Sequence, residues 1–346
     1  MFDSSILLKS AKAYPKMENF TPSYGTAGFR AEASLLPCTM YRCGVFAAIR
    51  SIVKKKNTGI MITASHNPIA DNGVKLIEPT GENLPQDLEP IVTKLVNSHD
   101  EYELVNMVNA IIMSMSVADQ QVHSNHNPSI QASNDDEKSL SAECSILRAS
   151  NDIITTPVVL LGHDTRPSAQ MLVAAARAGI EAVGVTAIQC GHVTTPQLHF
   201  LVSLSNFPEL YDHDRMDPDF FDNEDPSIHL KKRRIESSVD ASAIPTPLPS
   251  VSPKAPRFAE RPAEFPSQGL NWYYGRVASA YRRLVAVGSS SSPPSPSFPL
   301  FVDCANGVGA RMLKPLLAPM ESAGLTLSLR NTGDEDGGEK EERGKK

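Results

Sequence analysis

Residues 59–77 read GIMITASHNPIADNGVKLI, and the way this run divides decides the fold. Gly59-Ile60-Met61-Ile62 is a short apolar strand. It breaks at Thr63 into a polar turn that carries Ser65, His66, Asn67 and Pro68. A second turn at Asp71-Asn72-Gly73 leads into another strand, Val74 to Ile77. There Val74 and Leu76 point one way and Lys75 the other, by the period of two. Ser65 therefore stands at a strand end with an accessible hydroxyl, and Lys75 follows ten positions later.

Outward from this run, the segment before it reads as a helix from Thr39 to Val53, closed by Lys54-Lys55-Lys56-Asn57. Tyr24 to Arg30, YGTAGFR, reads as a glycine-bearing loop, and Pro85 to Asn97 as a helix with proline in its first turn. Further on, Val158 to Leu161 is a buried strand that runs into Gly162-His163-Asp164-Thr165-Arg166. A helix from Pro167 to Ala178 follows, with Gly179 at its end, and then a strand from Val183 to Ile188. This strand–helix–strand order implies a βαβ unit and an α/β fold. Thr194 to His199 reads as a loop and a short helix.

The later sequence is patchier. A helix spans Trp272 to Val287, Pro299 to Cys304 is a strand, Arg311 to Ala323 a helix, and Leu325 to Leu329 a further strand. Residues 113–151 are rich in Ser, Asn, Gln and His, and residues 204–268 in acidic residues, Pro and Ser. Both are expected to be disordered insertions, as is the charged stretch from Gly333 to Lys346. His123 and His126 in the first insertion lack partners at metal-site spacing and read as polar filler. Lys231-Lys232-Arg233-Arg234 reads as a solvated charge cluster rather than an import signal. The expected organisation is a first domain over 1–203, a second begun at 271–332, and a disordered linker and tail.

Bulk properties exclude some classes. A net charge of −6 argues against a nucleic-acid partner, which needs a basic face. It leaves anionic small molecules open, since a pocket can be positive on an acidic protein. Cys38, Cys43, Cys144, Cys190 and Cys304 are odd in number and show no CxxC spacing. A disulfide framework or structural zinc site is not expected, and a reducing, cytoplasmic setting fits. No apolar run approaches the roughly 18 residues of a membrane helix, and the N-terminus lacks the apolar stretch of a secretory signal. Oligomeric state is not legible.

Four polar loops fall at element ends, around Gly25, Ser65, Gly162 and Thr194. Ligands bind α/β sheets at such places. Arg30, Lys75 and Arg166 lie in or beside these loops and, with Ser65, suit a phosphorylated ligand. Arg30 also admits a surface salt bridge, and Arg166 a structural pairing with Asp164. Gly25 and Gly28 tilt Arg30 towards function, since glycine lets backbone donors approach a ligand. As an acyl-transfer nucleophile, Ser65 would need His66 as base, but neighbours on an extended chain point apart, and no GxSxG elbow is present. A phosphoryl carrier is the better reading, with cations around it and magnesium as the usual companion. Asn306-Gly307-Val308-Gly309 lacks the third glycine of a dinucleotide loop.

In this order the motifs YGTAGFR (24–30), MITASHNPIADNGVKL (61–76), LGHDTRPS (161–168), TTPQLH (194–199), VDCANGVGA (302–310) and RNTG (330–333) resemble the α-D-phosphohexomutase family. YGTAGFR with TTPQLH points to its acetylhexosamine branch. The resemblance spans roughly 15–112, 155–203 and 271–333. It implies a mixed sheet flanked by helices, plus an incomplete second α/β domain. It implies that a phosphoserine at Ser65 exchanges its phosphoryl group with N-acetylglucosamine 6-phosphate and 1-phosphate through a bisphosphate, on the route to UDP-N-acetylglucosamine. Ser65, His66, Lys75 and Arg30 take catalytic positions in it, and Asn67, Asp164 and Arg166 substrate-binding ones. The Ser65 phosphate would bind Mg2+. The family's aspartate-rich loop of DGDADR type is absent, and His163 stands where the family usually carries arginine. The chain thus reads as an N-terminal portion with weak or no turnover, or alternatively as a non-catalytic sugar-phosphate binder or a mutase of glucose or mannose phosphate.

Overall fold

The computed structural model describes residues 3–124, 156–212, 254–259, 262–288 and 299–333. The histidines at 123 and 126 and the basic run at 231–234 lie outside the residues whose side chains it describes. So do most of the two expected insertions and the charged tail. The chain divides into two compact units, one over 1–207 with 258–263 and the other over 208–257 with 264–346.

The first unit is built on a five-stranded mixed sheet. Its strands are β1 (Phe29–Glu32), β2 (Thr58–Ile62), β3 (Asp71–Ile77), β4 (Val158–His163) and β5 (Thr186–His192), in the order β1-β3-β2-β4-β5. The β2–β3 pair and the β1–β3 pair are antiparallel, whereas β2–β4 and β4–β5 are parallel. All five residues of β2 are buried, as expected of a central strand covered on both faces. Ile60 and Ile62 join Val74, Leu76, Val159 and Leu161 in one core with helices α1 (Ser4–Ala11), α2 (Pro37–Lys54), α3 (Glu89–Val96), α4 (Glu101–Ser124) and α5 (Ala169–Ala182). The opposite face meets helix α6 (Thr195–Asn206): a Cβ on Gly162 would touch Leu198, and one on Gly59 would touch Val202.

Several readings are corrected here. Phe29–Glu32 belongs to an edge strand rather than a loop, because only β3 can supply its partners. Near the N-terminus α1, which no sequence reading anticipated, has its first turn capped by Asp3 accepting from the Ser5 amide. Helix α4 continues past residue 112 to Ser124, and α6 runs twelve residues to Asn206, beyond where the polar composition begins. A capping box closes α6: Thr194 accepts from the Gln197 amide while Gln197 reaches back to the Thr194 amide. Gly179 does not end its helix, which runs to Ala182. It lets α5 cross α2 closely, since a Cβ there would lie 1.9 Å from the Tyr41 carbonyl oxygen.

The second unit, described by itself, holds α7 (Phe265–Gly288), the parallel pair β6 (Leu300–Asp303) and β7 (Leu327–Arg330), and the short helices α8 (Val308–Leu313) and α9 (Leu317–Ser322). Its small core gathers Tyr274, Ala278, Leu316 and Met320. Gly307 stands just before α8 as its N-cap.

Candidate active site

The serine loop leaves β2 at its C-terminal end, beside the C-terminal end of its parallel neighbour β4. Ser65 is exposed and takes a left-handed backbone, φ 49°. A non-glycine residue held there is conformationally strained, and such strain collects at functional sites. The surrounding hydrogen bonds keep it in place. Thr63 Oγ1 accepts from the Ser65 amide at 3.2 Å and donates to Asp164 Oδ2 at 2.7 Å. The Thr63 and Asn67 amides reach the Gly73 and Ala64 carbonyls. The chain at Ser65 is not extended, so the argument from alternating neighbours does not apply at His66. His66 is exposed beside it.

Arg166 holds the loop from below. Its Nη2 donates to the carbonyls of Ser65 (3.0 Å) and Asn67 (2.9 Å), and its Nη1 to those of Pro68 (2.5 Å) and Asp71 (3.0 Å). Its Nε pairs with Asp164 Oδ2 at 3.3 Å, and its amide with Oδ1 at 3.0 Å. Only 10% of either side chain is exposed. Every guanidinium nitrogen of Arg166 thus has a protein acceptor. Arg166 and Asp164, expected at substrate-binding positions, are engaged in this structure with the serine loop. Asn67 is tied likewise: its Oδ1 accepts from Arg30 Nη1 at 3.2 Å and its Nδ2 donates to Asp71 at 3.0 Å.

Two further cationic side chains lie on one sheet face. Arg30 pairs in register with Gly73, and Lys75 with Met61, so both side chains stand on the face opposite Val74 and Leu76. Arg30 Nε is buried without a partner among the described residues. Burial lowers the Lys75 pKa from its ordinary value, and the nearby Arg30 charge lowers it further. Gly28 (φ 80°) serves this face differently from expectation: a Cβ there would lie 1.9 Å from the Val74 carbonyl, so its close approach is to β3 and not to a ligand.

Sequence reasoning missed Thr63, Asp71 and His199 as parts of the arrangement. Thr63 and Asp71 flank the serine motif, which was a signal; His199 sat in the quoted TTPQLH run with no pattern to mark it. His163 is buried, with Nδ1 donating to its neighbour's carbonyl, Asp164 O, at 2.8 Å and its ring edge-on to His192.

Residues 39–103 and 137–209 match the phosphoglucomutase/phosphomannomutase alpha/beta/alpha domain I. The chain is thus similar to phosphoglucomutase and phosphomannomutase domains. Phosphoacetylglucosamine mutase of Arabidopsis thaliana is 29% identical over 96% of this chain and 44% of that protein. The enzyme of the same name from Oryza sativa is 36% identical over 53% of this chain and 27% of that protein. The chain therefore spans less than half the length of these phosphohexomutases. Among solved structures, an N-acetylglucosamine-phosphate mutase in its apo-form superposes with a TM-score of 0.60 at 23% identity, over 95% of this chain and 52% of that one. An Aspergillus fumigatus N-acetylphosphoglucosamine mutase in complex with GlcNAc-6P and magnesium superposes with a TM-score of 0.59 at 24% identity, over 95% of this chain and 44% of that one. Both share this fold.

Among the described residues no group of three or more His, Cys, Asp or Glu side chains could hold a metal ion. The side chains described around Ser65 do not fit a resident magnesium without added oxygens. No helix of the described residues is long and apolar enough to cross a membrane.

Proposed function

We propose that this chain carries the phosphoserine side of a phosphoacetylglucosamine mutase, which interconverts N-acetylglucosamine 6-phosphate and 1-phosphate in a cytoplasmic setting. One observation carries the reading: an exposed serine in a strained backbone, on a loop clamped by Arg166 and tied through Asn67 to Arg30, which shares its sheet face with Lys75. In the transfer, a P–O bond forms to a sugar hydroxyl oxygen as the bond from phosphorus to Ser65 Oγ breaks. The hydroxyl proton ends on Oγ, so the exchange is balanced. Lys75 and Arg30 lower the barrier by holding cationic charge where the transferring phosphoryl oxygens pass. His66 orients the sugar from the exposed side of the loop. Asn67, Asp164 and Arg166 keep that geometry. Mg2+ would supply further charge against the Ser65 phosphate, with ligands beyond those described here. No nucleic acid or membrane enters this reading.

A second reading, a sugar-phosphate binder without turnover, draws on the lack of a described metal cluster. The test is incubation with glucosamine-type 1,6-bisphosphate carrying labelled phosphate. Label on Ser65, absent in Ser65→Ala, with turnover of acetylated and not plain hexose phosphates, supports the mutase. Binding without label supports the second reading, and preference for plain hexose phosphates supports a glucose or mannose phosphate enzyme.

A further inference from the structure

His199 lies on α6, on the sheet face that carries Lys75. Its Nδ1 sits 2.6 Å from the Gly81 carbonyl oxygen, which can only accept. Nδ1 therefore carries the proton, and in the neutral ring Nε2 presents a bare lone pair. That Nε2 is buried and has no partner among the described residues. Leaving such an acceptor unmet in the interior is unfavourable, so a donor is expected there.

The donor at hand is Lys75. A Cβ on Gly59 would meet both Val202 of α6 and Ile77, and Lys75 is two residues from Ile77 on the same face of β3. The Lys75 charge acts on His199, adding to burial in lowering its pKa against the opposing Gly81 contact. Other charged groups nearby are engaged: Glu78 with Arg50, Asp71 with Asn67, and Glu82 with Thr80. Arg30 is the remaining cation acting on Lys75, and it pushes the ammonium away from itself.

We propose that His199 is a positioning residue for Lys75: its Nε2 lone pair accepts one ammonium N–H and leaves the other two for the oxygens of an incoming phosphorylated sugar. An ammonium has three donors on a flexible stem, and fixing one of them orients the rest. Gly81 sets the ring, the ring sets the lysine, and Arg30 bounds it on the other side. The proposal rests on the placement of Lys75 at the phosphoryl site.

The test uses the 346-residue chain. The His199 titration is followed by NMR in wild type and Lys75→Met, the signal being assigned by its loss in His199→Gln. The expected result is a rise of the His199 midpoint by about half a unit or more in Lys75→Met, about a threefold change in protonation constant. Affinity for inorganic phosphate is then compared at neutral pH. His199→Ala is expected to weaken it about threefold or more, and His199→Gln, whose amide oxygen restores an acceptor, to recover it. An unchanged midpoint, an unchanged affinity in His199→Ala, or equal loss in both variants would overturn the proposal. Should His199→Ala fail to fold, the Lys75→Met midpoint decides alone. Coupled titration with no label on Ser65 would sink the mutase reading and leave the pairing intact.

Discussion

Arg166 is the residue on which the serine loop depends most. Four backbone carbonyls and one carboxylate converge on its guanidinium. Arg166→Met would strand a nearly buried Asp164 charge, so a loss of about 3–5 kcal/mol is expected on urea unfolding. Arg166→Lys keeps the charge but cannot span the acceptors, and should fall between the two. A variant as stable as wild type would mean the clamp is idle. His199 gives a second outcome at this scale. Its pKa lies below its ordinary value in the fold, so the unfolded chain binds more protons as pH falls past that value. Stability is therefore full above about pH 6.5 and is lost as pH drops through the folded midpoint. His199→Gln should flatten that acid slope in urea titrations at matched pH values, and an identical slope would remove His199 as its source. Ser65, Lys75 and Arg30 were legible because a serine at a strand end and cations at fixed spacing are local patterns. The roles of Arg166, Asp164 and Asn67 were not, since their partners lie up to 101 residues away and residue type does not say which way a donor faces.

Packing of α2 on α5 sets how flat the sheet's covered face can be. Gly44 meets the Ala176 carbonyl and Gly179 the Tyr41 carbonyl, at 2.1 and 1.9 Å from where their Cβ atoms would stand. In isolation a helix gains from Gly→Ala. Here the methyl would collide with backbone, which cannot rotate away, and the helices must separate. Gly179→Ala is thus expected to destabilise by about 1–3 kcal/mol, overpacking outweighing propensity. Thermal or urea unfolding checks the sign: a stabilised variant would show that the crossing yields freely. The same glycine shows why element ends were misread. A glycine after a periodic run looks like a helix terminus, and only the partner helix reveals that it serves a crossing. Strands fared better where they are central. The apolar run of β2 and the alternation of β3 were plain, whereas β1 is an edge strand whose Arg30 and Glu32 carry little β signal and whose pairing exists only in the sheet.

Across the whole chain, burial is shared unequally. The first unit draws its core from its sheet and helices α1 to α5, Leu7, Phe46, Ile62 and Leu172 among those fully buried. Among the described residues, the second unit's core cluster gathers the buried side chains of Tyr274, Ala278, Leu316 and Met320, and its sheet is a single parallel pair. Leu300 and Phe301 on β6 are 52% and 59% exposed. A two-stranded sheet is marginal in water, and parallel pairs are ordinarily buried on both sides. Local stability follows buried contact, so opening should be far easier in the second unit. Amide hydrogen exchange of the 346-residue chain is the direct measurement. Amides of β2 and β4 should exchange only through global opening of the first unit, while those of β6 and β7 exchange at least about tenfold faster, a gap of about 1.4 kcal/mol. Protection of β6 equal to that of β2 would mean that another surface covers Leu300 and Phe301, and that the second unit is not limited by its own small core.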